Sequence, residues 1–118
     1  MRLPPALKVI EKDTFRECKN LKTLEFPEDL EKIDLQAFAL SGLENVELPA
    51  SLRTISQAAF YKCESLNTIK FNEGLEVLGT DEYDGNGEKY LGIFEDSSIK
   101  SIELPSTLRR IEYSVFRD

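Results

Sequence analysis

Histidine and tryptophan are absent from this chain of 118 residues, methionine occurs once and cysteine twice. Without histidine, the usual Ser-His and Cys-His nucleophiles have no base and the commonest metal ligand is missing. No phosphate-cradling glycine loop follows a strand and opens a helix. Carboxylates number 22, but they recur along a repeating surface without an evident pocket, so pairs among them are expected by chance. The expectation is a chain without catalysis. Basic residues are also in deficit, 15 against those 22 acids for a net charge of −7. They are dispersed, which excludes the clustered cationic surface that nucleic acid or an anionic membrane requires. No apolar run approaches the roughly 20 residues of a membrane span. The opening Met-Arg-Leu-Pro-Pro lacks the apolar stretch of a signal peptide, so any export signal is expected outside this chain.

What the chain has in abundance is repetition. The frame P-x-x-L-x-x-I-x-x-x-x-F recurs five times with small departures, and in the first four copies L-x-x-L-x-[FL] follows it. Its proline is Pro4, Pro27, Pro49 and Pro105, with Asn72 in that place in the fourth copy. Its first leucine is Leu7, Leu30, Leu52, Leu75 and Leu108, giving steps of 23, 22, 23 and 33 residues. A period of this length predicts a solenoid, in which no copy can bury its apolar side alone. With 41% hydrophobic residues the chain can build one core. The expected coils span about 4–26, 27–48, 49–71 and 72–104, with a partial one at 105–118, about 4.5 in all.

Spacing changes character within a copy. In Leu43-x-x-Val46-x-Leu48 and Leu66-x-x-Ile69-x-Phe71 the last two apolar residues sit two apart, the period of a strand. Proline then suits a strand end or corner. A second short extended piece follows, Leu52 to Ile55 in the third copy. Ser56 to Lys62, with serine as a cap and two alanines, predicts a short helical turn.

Stacked copies place like residues in columns about 4.8 Å apart. The apolar columns include Phe15, Phe38, Phe60, Phe94 and Phe116, and Ile10, Ile33, Ile55, Leu78 and Ile111. Cys18 and Cys63 share a column two copies apart, roughly 9 to 10 Å, too far for a disulfide. They are expected as reduced core thiols, with Ser41 and Ser97 in the same column. Lys8, Glu31, Arg53, Glu76 and Arg109 alternate in sign, which favours one register over a slipped one.

The frame L-P-x-S-L-x-x-I-x-x-x-A-F-x-x-C-x-x-L-x-x-I-x-F, carried here by Leu48-Pro49-Ala50-Ser51-Leu52 through Ala59-Phe60, Cys63, Leu66, Ile69 and Phe71, resembles the BspA-like, or Treponema-type, leucine-rich repeats. The resemblance covers residues 3 to 117. It implies a right-handed leucine-rich repeat superhelix with a parallel sheet of short strands on its concave side. It also implies a secreted or cell-surface protein, with adhesion among the family's roles and no catalytic residues to transfer.

Function is sought where the copies disagree. Between inward residues of the sheet stand Thr23, Asn45, Thr68 and Ser101 in one column and Glu25, Glu47, Lys70 and Glu103 in the next. Lys22, Glu44, Asn67 and Lys100 run beside them. They form either a polar contact face for a protein or glycan, or a solvated sheet. Glu25 beside Glu47 is mildly unfavourable and marks the first place to look for a partner. The fourth step carries about eleven extra residues, expected as a surface loop over 79–90 with Tyr83 and Tyr90, either a specificity element or a tolerated insertion. Asp84, Asn86, Glu88, Tyr90 and Glu95 follow an EF-hand-like spacing, but Lys89 stands where glycine is required and no helix flanks it. No metal or other cofactor is expected. Neither end shows a distinct polar cap, which suggests a segment of a longer array or end-to-end self-association. The expected function is a non-catalytic interaction or adhesion module, the alternative a structural spacer without a ligand of its own.

Overall fold

The computed structural model describes residues 3–56, 58–79, 93–94, 97–99 and 102–111. Its strands are short: β1 Val9–Ile10, β2 Lys32–Ile33, β3 Asn45–Glu47, β4 Thr54–Ile55, β5 Thr68–Lys70, β6 Val77–Leu78 and β7 Arg110–Ile111. All pairings are parallel, in a five-stranded sheet of order β1-β2-β4-β6-β7 and a two-stranded sheet β3-β5. The register of the larger sheet joins Ile10, Ile33, Ile55, Leu78 and Ile111 in sequence, the column expected from spacing. The 33-residue step leaves it intact, since Leu78 still pairs with Ile111.

Every copy opens on the same tight turn. The N–H of its first leucine donates to the carbonyl three residues earlier, on Pro4, Pro27, Pro49, Asn72 or Pro105, at 3.1 to 3.4 Å. Proline fixes its own backbone angle at the first position of this turn. Asn72 lacks that restraint, and its Nδ2 instead donates to the Leu52 carbonyl at 2.8 Å, tying the fourth copy to the third.

The sheet differs from expectation in where it is continuous. The five-stranded sheet uses the second, shorter extended piece of each copy. The L-x-x-L-x-F piece forms paired strands β3 and β5 in the second and third copies. In the first copy Glu25 is a single bridge residue, and the Glu44 N–H reaches the Lys22 carbonyl at 3.0 Å. Burial follows the same division. Leu43, Val46 and Leu48 are buried, whereas Leu21, Leu24 and Phe26, which have a described neighbouring copy on one side only, are half-buried.

No helix occurs among the described residues, and in place of the helical turn expected at Ser56 to Lys62 residues 58–62 form non-helical turns. Ala58 and Lys62 have φ of 60° and 53°, as Gln36 and Leu40 have 54° and 60°, and Asp13 and Glu17 have 61° and 62°. A left-handed residue at every fourth position interrupts a right-handed helix. The hydrogen bonds give the cause. Ala37, Ala39 and Ser41 donate three residues back, while Phe38 and Leu40, between them, donate to the Ala59 and Tyr61 carbonyls of the next copy at 2.9 and 2.8 Å. Asp13, Phe15 and Glu17 likewise donate to Leu35, Ala37 and Ala39. Partners in the adjacent copy outweigh the helix preference of alanine, which is a fraction of a kcal/mol, about 0.7 at most.

The core is a ladder of rings. Phe15, Phe38, Phe60 and Phe94 stack with successive centroids 5.2, 5.4 and 5.8 Å apart and planes within 8°. Phe26 and Phe71 meet Phe38 and Phe94 edge-on at 5.8 and 6.0 Å. Each ring buried contributes roughly 1.5 to 3 kcal/mol before entropy. Phe116 lies outside the described residues.

Two further expectations are corrected. Cys63 is buried as expected, but Cys18 is only partly so; both are free. The alternating charge column closes one ion pair among the described residues, Lys8 to Glu31 at 3.9 Å. Arg53 turns its Nη1 onto the carbonyls of Ala50, Leu52 and Gly74 at 3.1 to 3.3 Å, because those acceptors lie along the turn it crosses.

Candidate functional site

Strand alternation builds the polar face. In β3 and β5 the central Val46 and Ile69 point into the core, so Asn45, Glu47, Thr68 and Lys70 point out and are exposed. Register sets Asn45 beside Thr68 and Glu47 beside Lys70. Thr68 Oγ1 donates to Asn45 Oδ1 at 2.6 Å, and Lys22 Nζ lies 3.5 Å from Glu44 Oε2 across the neighbouring column.

A shallow groove of about 710 Å³ runs along this face, lined by Thr23, Glu25, Asn45, Glu47, Thr68 and Lys70 above the apolar floor of Leu24 and Val46. Six of the ten candidate residues thus share one surface. Glu103 is exposed but does not line the groove. Ser101, Tyr83 and Tyr90 lie outside the described residues, as does the 79–90 loop after Gly79 and the calcium-like spacing within it.

Chemically the face offers hydroxyl, amide and carboxylate groups for hydrogen bonding. Cys63 lies on the inner side, fully buried. Burial pushes its thiol above the ordinary range, against weaker hydrogen bonds from Ser41 and the Leu40 and Ser41 backbone. Its Sγ donates to the Phe38 carbonyl at 3.0 Å and lies 3.5 Å from Ser41 Oγ. That thiol is a protonated core group, remote from nucleophilic use.

Sequence reasoning missed a second groove, about 530 Å³, beside the first. It is bounded by the strand-end residues Phe26 and Leu48 and the corner prolines Pro27 and Pro49. Reading L-x-x-L-x-F as wholly inward concealed it. The available signal was the aromatic at the strand end next to the proline corner, where the chain turns away from the core.

A family model described as "BspA type Leucine rich repeat region (6 copies)" matches residues 1–118. No curated protein matches the chain. Among solved structures, a leucine-rich repeat protein from Bacteroides ovatus ATCC 8483 is similar with a TM-score of 0.70 and 25% identity, covering 95% of this chain and 30% of that one. The chain therefore spans less than a third of that protein. Leucine-rich repeat proteins are generally interaction or structural modules, and the BspA type is typically surface-associated. On the match over its whole length, together with parallel strands recurring in register with the repeat, this chain belongs to the BspA-type leucine-rich repeat family.

Proposed function

We propose that the chain is a non-catalytic interaction module of a secreted or cell-surface repeat protein, adhesive in role, whose contact surface is the polar face of β3 and β5. In this reading the copies wind as a right-handed solenoid of about 4.5 coils, with that face on the concave side and the loop bearing Tyr83 and Tyr90 beside it. One observation carries it. Inward positions hold the same residue type in successive copies, whereas the groove positions vary, Thr23 to Asn45 to Thr68 and Glu25 to Glu47 to Lys70. Packing demands the first set and leaves the second free for recognition.

The spacer reading draws support from the Thr68–Asn45 hydrogen bond and the Lys22–Glu44 ion pair, which let the face satisfy part of its own polarity. The two part company on an array of immobilised peptides and glycans probed with the labelled chain. Binding to one class of ligand is expected, lost in Asn45→Trp and Thr68→Trp and retained in Lys12→Trp, which is exposed elsewhere. A ligand that survives both groove substitutions would sink the proposal. Silence across the array would leave the spacer.

A further inference from the structure

We infer that the occupant of this face is an uncharged linear glycan laid across the copies; the inference rests on the reading of the β3-β5 face as the contact surface. The charges of the face are already matched from within. Register sets Glu47 beside Lys70, Lys22 Nζ lies 3.5 Å from Glu44 Oε2, and Glu25 is engaged in an interaction of its own. A face compensated in this way gives neither a cationic nor an acidic partner a long-range advantage. Selection then falls to hydrogen bonding.

The hydrogen-bonding groups are mixed in kind and regular in spacing. Thr68 Oγ1 gives its proton to Asn45 Oδ1 at 2.6 Å, which leaves the Thr68 oxygen as an acceptor and Asn45 Nδ2 as a donor. In the next column Glu47 accepts and Lys70 donates. Hydroxyls do both, and a sugar carries them around its ring. Spacing separates a glycan from a peptide. The groove crosses three copies, from Thr23 through Asn45 to Thr68, and its like positions recur at the strand spacing of about 4.8 Å. Side chains on one side of an extended peptide recur at about 6.7 Å, so a peptide crossing the copies is out of step by about 4 Å after two of them. A linear glycan repeats once per pyranose ring, close to the strand spacing, and stays in step.

The test measures fluorescence anisotropy of labelled cellohexaose, mannohexaose and laminarihexaose, each titrated with the intact chain at low and at high salt. Saturable binding of at least one is expected, with the same affinity at both salt concentrations, since matched charges leave little to screen. The corresponding disaccharide, too short to cross three copies, should bind at least tenfold more weakly. Thr68→Val keeps the shape of the side chain and removes its hydroxyl, and should weaken the hexasaccharide at least tenfold. Thr68 is exposed, so an unchanged thermal melt confirms that the variant is folded. No binding of any hexasaccharide, equal binding of the disaccharide, an affinity that falls with salt, or an unchanged affinity in Thr68→Val would each overturn the inference. If the array instead yields a peptide that Asn45→Trp removes, the contact surface stands and the glycan falls. A hexasaccharide that binds as well to Asn45→Trp and Thr68→Trp as to the native chain would remove both.

Discussion

The rings of Phe38 and Phe60 lie parallel to within 4°, their centroids 5.4 Å apart. Phe38 also stacks on Phe15 and receives the edge of Phe26, so three rings converge on it. Phe38→Ala should cost about 3 to 5 kcal/mol. Phe15, at the end of the described ladder and slightly exposed, should cost less when truncated. Urea unfolding of both variants compares them, and equal losses would count against the ladder as the core's main support.

Asn72→Ala should destabilise by about 1 to 2 kcal/mol, through loss of the buried bond to the Leu52 carbonyl. Asn72→Pro loses the same bond but regains about 0.4 to 1 kcal/mol by stiffening the unfolded chain. It should fall between alanine and the native residue in thermal unfolding. A proline variant less stable than the alanine one would show that the Asn72 N–H is itself needed.

Much of this arrangement was legible in the sequence, for a physical reason. The Ile10 to Ile111 column and the Phe ladder follow from period alone, because buried apolar residues must meet their own kind in the next copy. The turn at Ser56 to Lys62 was misread because alanine's helix preference is local and small, while the acceptors that overrule it, Ala59 and Tyr61 for the second copy, belong to a neighbour 21 or so residues away. For the face, alternation along β3 and β5 was enough to bring six candidates together. The second groove, at Phe26 and Pro49, does not follow from the spacing, since it depends on how far the first copy's strand end is left uncovered.

Stability should decline at alkaline pH in a way that Cys63 controls. Burial raises its pKa in the folded chain above the ordinary thiol value of 9.0. The stabilisation from the neutral thiol is therefore complete below about pH 9 and lost as pH rises through the higher folded value. Cys63→Ser, which puts in the residue that Ser41 supplies in the second copy, should flatten this part of the profile. Unfolding free energies at pH 8 and pH 10 for the two proteins would decide it, parallel slopes being the adverse result. In the same native protein at pH 8, a thiol reagent should modify Cys18 before Cys63.

Gly42→Ala should be destabilising by about 1 to 3 kcal/mol. A Cβ at that position would collide with the Lys19 carbonyl, where the first two copies approach so closely that the Gly42 N–H donates to the Cys18 carbonyl at 3.1 Å. Because the obstacle is backbone, the copies themselves must move. A melting temperature within a degree or so of the native chain would contradict that closeness.

The alternation of donors through residues 37 to 41 gives the turn segment a parity. Its N–H groups face inward along the chain or outward to the next copy by turns, and a deletion of one residue would exchange the two roles for everything after it. Phe38 would then lose its place in the ring stack. The fourth copy shows where length can safely change. Its extra residues enter after Gly79, whose N–H still bonds to the Ile55 carbonyl, and the chain returns in phase with Phe94 on Phe60 and the Ser97 N–H on the Phe94 carbonyl. Such a chain has something like a reading frame in space: the fourth copy absorbs an insertion between Gly79 and Phe94 without losing register, whereas a single-residue deletion within the turn would shift it.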